Sequence, residues 1–171
     1  MSGMDESGKV EFFMWLALLG KLNTKEMLWK KGILQEDQTS CPLCSVQLES
    51  LYYVLLNCPV SWSIWCKIAG DLGQSLRMAE TFRNHFEGWM TRHRRNVTLK
   101  KLWCSTFFAV AWSLRRMRNG ISFQQKVIDV DALYNIIRWR VTFWTKAWKE
   151  QLPYNVDDVA RNFDSIPVLF H

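Results

Sequence analysis

No apolar run in this sequence approaches the roughly 20 residues needed to span a bilayer, and the stretch Phe107 to Trp112 falls far short of it. No secretory leader precedes the five cysteines; Met1 to Gly8 is short and polar and carries Asp5 and Glu6. An odd cysteine count without a leader argues against a disulfide framework and for a reducing compartment. The expectation is a soluble intracellular protein, cytoplasmic or nuclear, and not secreted. Also missing are a phosphate-cradling glycine loop, a Ser/His/Asp grouping, an internal repeat, a low-complexity segment and any run reading as strands. Catalysis therefore finds little support, and no enzyme is expected.

What is present is apolar surface. Nearly half of the 171 residues are hydrophobic and ten are tryptophan, which excludes disorder of the whole chain. The length fits one ordinary domain or two small helical layers sharing a core. The formal charge of +6 leans toward anionic partners, although large basic blocks are absent.

Helical signals run through the chain. Lys9 to Leu19 is apolar on nearly every face and is expected to lie centrally in a core. Thr24 offers a cap for Lys25 to Lys31, and another helix is expected from about Leu48 to Leu56. Pro59 suits the first turn of the next, running to Gly70. Asp71 to Ala79 reads as a linker, which divides the chain softly into residues 1–72 and 73–171. Beyond it, Glu80 to Trp89 is expected to be helical. Trp103, Phe107, Val110, Leu114 and Met117 form one stripe of a helix from Thr98 to Asn119, stopped by Gly120. Asp129 caps a last long helix with Val130, Leu133, Ile137, Val141, Trp144 and Trp148 as its stripe, ended by Pro153. Tyr154 to His171 is expected to be a tail with one helical turn. The fold class is all-α: a compact helical domain with a short Cys-x-x-Cys knuckle between helices, followed by a long helical pair.

The knuckle is Cys41-Pro42-Leu43-Cys44, and Cys58-Pro59 returns to it after thirteen intervening residues. Three thiols so spaced supply three quarters of a structural zinc site, which wants four Cys or His donors in a tetrahedron. Cys66 lies eight residues past Cys58, about 12 Å along a helix axis, too far for the same ion. Water, His85 or His93 would have to complete the set. The alternative is three small thiols packed as hydrophobes. A redox role needs a βαβ context that the sequence does not offer.

Basic residues gather at Arg92, Arg94, Arg95, Lys100 and Lys101, at Arg115, Arg116 and Arg118, and at Arg138 and Arg140. Ringing tryptophan-rich helices, they would hold phosphates while aromatic rings stack on unpaired bases of RNA or single-stranded DNA. A solvated helix face is the plainer alternative. Tyr154-Asn-Val-Asp157-Asp158 has one residue more than the Tyr-x-Asp-Asp of polymerases and reads as a capped turn.

Phe12-Phe13-Met14-Trp15-Leu16, Leu22-Asn23-Thr24, Cys41-Pro42-Leu43-Cys44, Glu49-Ser50 and Cys58-Pro59 through Trp65 occur in this order. So arranged, they resemble the zinc-binding domain at the C-terminal end of reverse-transcriptase polyproteins from plant LINE-type non-LTR retrotransposons. Lys101-Leu102-Trp103, Trp112-Ser113, Arg118-Asn119, Phe123 and Lys126 resemble the stretch that follows. The resemblance implies a zinc-binding helical module, here separated from polymerase and endonuclease regions, in a protein that handles its own RNA. It also implies ligand histidines where this chain has Tyr53 and Asn57, neither of which is a customary zinc donor. Two functions follow. One is a non-catalytic module binding RNA or single-stranded DNA. The other is a domesticated interaction module whose exposed aromatic surface docks on host proteins or on itself, with a disruptive or toxic outcome.

Overall fold

The computed structural model describes residues 2–92 and 94–171, with side chains from residue 6 onward. Helices α1 (Ser2–Leu18), α2 (Lys25–Lys30), α3 (Pro59–Asp71), α4 (Phe82–Met90), α5 (Val97–Gln124), α6 (Val130–Trp144), α7 (Val156–Arg161) and α8 (Ile166–Leu169) follow one another. No strand occurs among the described residues beyond the single antiparallel bridge between Ser40 and Leu48. The all-α expectation holds, and among the described residues no helix is long and apolar enough to cross a membrane.

Caps place the helix starts. Thr24, Thr81, Asn96, Asp129 and Asn155 each accept backbone N–H groups of the first turn that would otherwise lack partners. The centre of the core is α5, not α1. Its stripe Trp103, Phe107, Val110 and Leu114 is buried, and so are Leu102, Thr106, Ala109 and Ala111 beside it. In contrast α1 buries Val10, Phe13, Met14 and Ala17, while Phe12 and Trp15 are 60% and 57% exposed. Beyond Lys9 it is apolar on nearly every face, but its buried residues pack on one side, where the Phe13 ring centroid lies 5.6 Å from that of Trp112.

Three further expectations are corrected. Helix α5 runs through Gly120 to Gln124, because Gly120 is buried and lets the Lys126 side chain pass close over it. The chain turns only at Gln125, in the left-handed region at φ 52°, where the Lys126 N–H closes on the Gly120 carbonyl at 3.2 Å. The segment after Pro153 is no tail either: Val159, Phe163, Ile166 and Phe170 are buried in the same core. The long helix α6 itself stops at Trp144, short of Pro153.

Helices α4 and α5 are joined by a reciprocal tryptophan pair. Trp89 and Trp103 stack with centroids 3.8 Å apart, and each indole N–H donates to the other's carbonyl at 2.8 Å. Neither ring carries an unmet donor into the core.

Candidate metal centre

The knuckle is a tight hairpin. The Cys41 N–H donates to the Gln47 carbonyl at 2.7 Å, the Ser45 N–H to the Cys41 carbonyl at 2.7 Å, and the Glu49 N–H to the Thr39 carbonyl at 2.9 Å. Ser45 takes the left-handed conformation, φ 58°, that such a tight turn demands. Backbone N–H groups of Leu43 and Cys44 point at the Cys41 sulfur.

Cys58 comes from the other side. Residues Tyr53–Asn57 wind as a π-helical turn, in which the Cys58 N–H reaches the Tyr53 carbonyl at 2.7 Å. The wide turn leaves carbonyls without their usual α-helical partners, and α3 supplies replacements. Ser61 Oγ donates to Val54, and Trp65 Nε1 to Leu55 at 2.7 Å. Cys58 thus sits as N-cap of α3, with N–H groups of Val60 and Ser61 directed at its sulfur.

The result is a compact cluster: the sulfurs of buried Cys41 and Cys58 and half-buried Cys44 lie within 4.8 Å of one another. Cys41 and Cys58 share a hydrogen bond that splits their acidities. Cys58 is drawn below the ordinary thiol value by the Cys41 thiol and then by the helix N–H groups, while Cys41 is pushed up by the same bond and by burial. A thiol whose acidity is raised beside a second thiol is chemistry that a thiophilic cation exploits. The three donors fit zinc.

Of the histidines considered as a fourth ligand, His85 does not reach the cluster. It is buried, not exposed, with its ring 4.6 Å from Trp65, 5.4 Å from Phe107 and 5.8 Å from Trp89. Burial, and then the charge of Arg92, pull it down to about 4. His93 lies outside the described residues. Asn57, the second family histidine position, is exposed. Tyr53 is different: its hydroxyl lies 3.1 Å from the Cys44 sulfur, with the residue buried.

One buried carboxylate ties the hairpin down. Glu49 Oε1 accepts the Lys25 N–H at the start of α2 at 2.9 Å, and both oxygens receive the Arg118 guanidinium of α5, at 2.6 and 2.8 Å. Nothing in sequence spacing announces this role; the Glu49-Ser50 pair is visible only as part of a motif.

Residues 5–65 match the family model for zinc-binding in reverse transcriptase. That span covers the first helix, the hairpin, all three cysteines and Trp65, and stops before the second half of the chain. The resemblance drawn from Cys41, Cys44 and Cys58 is therefore shown over this segment. No curated protein and no solved structure matches the chain.

The basic residues differ in their local partners. Arg118 is bound to Glu49, and Arg115 is half-buried with its guanidinium 5.0 Å from the Phe13 ring centre. Arg92 donates to Gln74 and the Ser75 carbonyl, Arg94 lies 4.7 Å from the Trp103 ring centre, and Lys100 donates to the Met90 and Arg92 carbonyls. Arg95, Lys101 and Arg116 are exposed, with Lys101 facing Glu150 at 3.5 Å and Arg116 facing Glu6 at 3.8 Å.

Proposed function

We propose that the protein is a non-catalytic module that binds RNA or single-stranded DNA, with zinc held at Cys41, Cys44 and Cys58 in a structural role. The observation that carries the nucleic-acid reading is the set of large aromatic rings left facing solvent on a chain of net charge +6. Phe12 and Trp15 lie side by side on α1 with centroids 6.1 Å apart. Trp139 and Phe143 follow one turn apart on α6, and the Lys146 ammonium lies 5.0 Å from the Phe143 ring centre. Rings of this kind stack on bases without regard to sequence, each contributing about 1–3 kcal/mol, while the cations hold phosphates. Exposed Arg95, Lys101 and Arg116 are the members of the basic set best placed to do so.

Fluorescence anisotropy with a labelled single-stranded RNA, repeated across a salt series, tests this reading. The expected result is binding that weakens steeply with salt and is reduced by Phe12→Ala with Trp15→Ala. Salt-insensitive or undetectable binding at low ionic strength would rule it out.

A second reading rests on the groove between the start of α1 and α6, lined by Glu6, Ile136, Trp139, Arg140, Phe143 and Trp144. A largely apolar groove of this kind suits docking to a host protein or to a second copy of the chain. Sedimentation showing a dimer that Trp139→Ser dissociates, without effect on RNA, would favour it.

A further inference from the structure

Beside the three thiols stands the Tyr53 hydroxyl, 3.1 Å from the Cys44 sulfur. We propose that Tyr53 supplies the fourth donor, an oxygen, so that the ion is held by three sulfurs and one phenolic oxygen. The inference rests on the metal reading above and names the ligand that completes it.

Two observations converge. First, the Tyr53 oxygen is 3.1 Å from the sulfur of half-buried Cys44, and Tyr53 itself is buried, as Cys41 and Cys58 are. A tetrahedron built from usual zinc–sulfur and zinc–oxygen bonds sets its oxygen about 3.5 Å from each sulfur, so the phenol already stands at ligand range. Second, the π-helical turn that starts at Tyr53 is what brings this residue and Cys58 to the same side, and such turns recur at functional sites. Its carbonyl is tied to the Cys58 N–H at 2.7 Å, so tyrosine and cysteine approach the cluster as one unit. Tyr53 is only 6% exposed. A hydroxyl placed so would exclude a water ligand from that side.

Zinc accepts oxygen donors as readily in geometry as nitrogen donors, and a nearby divalent cation reverses the preference of its ligands for the protonated state. Tyrosine is thereby a change of donor atom at this corner and not a loss of the corner.

Cobalt(II) titration followed by zinc competition, on the full chain and on Tyr53→Phe, Tyr53→His and Cys58→Ser, tests the assignment. Tyr53→Phe keeps the ring in the core and removes only the oxygen. The wild type is expected to give the visible spectrum of four-coordinate cobalt, together with a near-ultraviolet tyrosinate difference band. In Tyr53→Phe that band disappears, the visible spectrum changes, and affinity falls more than the roughly 10–100-fold that loss of a mere hydrogen-bonding neighbour costs. Tyr53→His restores four-coordination through nitrogen. If Tyr53→Phe keeps the wild-type spectrum and affinity, the fourth donor is something else and the proposal is overturned. Failure of the wild type itself to bind, or equal binding by Cys58→Ser, would instead overturn the underlying metal reading.

Discussion

Arg118 shows how much a single side chain's setting decides. Its fork on a fully buried Glu49 anchors the hairpin to α2 and α5 at once. Removing one partner of such a pair leaves an uncompensated charge, so Arg118→Ala is expected to cost about 3–5 kcal/mol in urea unfolding. In sequence Arg118 looked like one of a basic trio at a helix end; charge is legible there, but the carboxylate it meets is 69 residues away. His85 makes the same point for acidity. Held near 4 against an ordinary 6.5, it folds neutral, and the unfolded chain binds the proton more tightly. Its contribution is fully present above pH 6.5 and is lost as pH falls through 4, a swing of about 3 kcal/mol. Urea midpoints of the wild type and His85→Leu at pH 7.5 and 4.5 measure it. The stability lost between the two pH values is expected to be smaller in the variant by most of that amount, about 2.5 kcal/mol.

At the level of elements, caps and stripes were readable because they are local. Thr24 and Asp129 cap as expected; Trp103, Phe107, Val110 and Leu114 of one stripe and Leu133, Ile137 and Val141 of the other are buried, whereas Val130 is exposed and Trp148 lies beyond the end of α6. The π-helical turn was not readable, since its winding is compensated by Ser61 and Trp65 of the following helix. Gly120 was misread as a stop because glycine at a helix end and glycine beneath a crossing side chain look alike in sequence. Within α5 it costs helix stability, and an added Cβ would lie 2.9 Å from Cδ of exposed Lys126, a flexible chain that can move aside. Gly120→Ala is therefore expected to raise stability by about 0.5–1 kcal/mol, read as a higher thermal midpoint. A fall of similar size would mean that Lys126 is held in place.

Across the whole molecule, buried residues from both sides of the Asp71–Ala79 loop pack into one core around α5. That loop was visible as a linker, but not what the chain does with its end. Phe163, fully buried, belongs to a segment whose sequence pattern is too short to advertise a helix. Phe163→Ala is expected to cost about 3–5 kcal/mol and to broaden side-chain signals well beyond the last twenty residues, as NMR or urea unfolding would register. The site followed the same logic. Three cysteines announced themselves by spacing, whereas Tyr53 was set aside by residue type and came forward only through the position of its oxygen.

Metal analysis of protein purified without added zinc, with Cys58→Ser alongside, tests whether Cys41, Cys44 and Cys58 hold an ion. One zinc ion per chain, absent from the variant, is the predicted result; a wild-type protein free of metal, or a variant that holds as much, would contradict it.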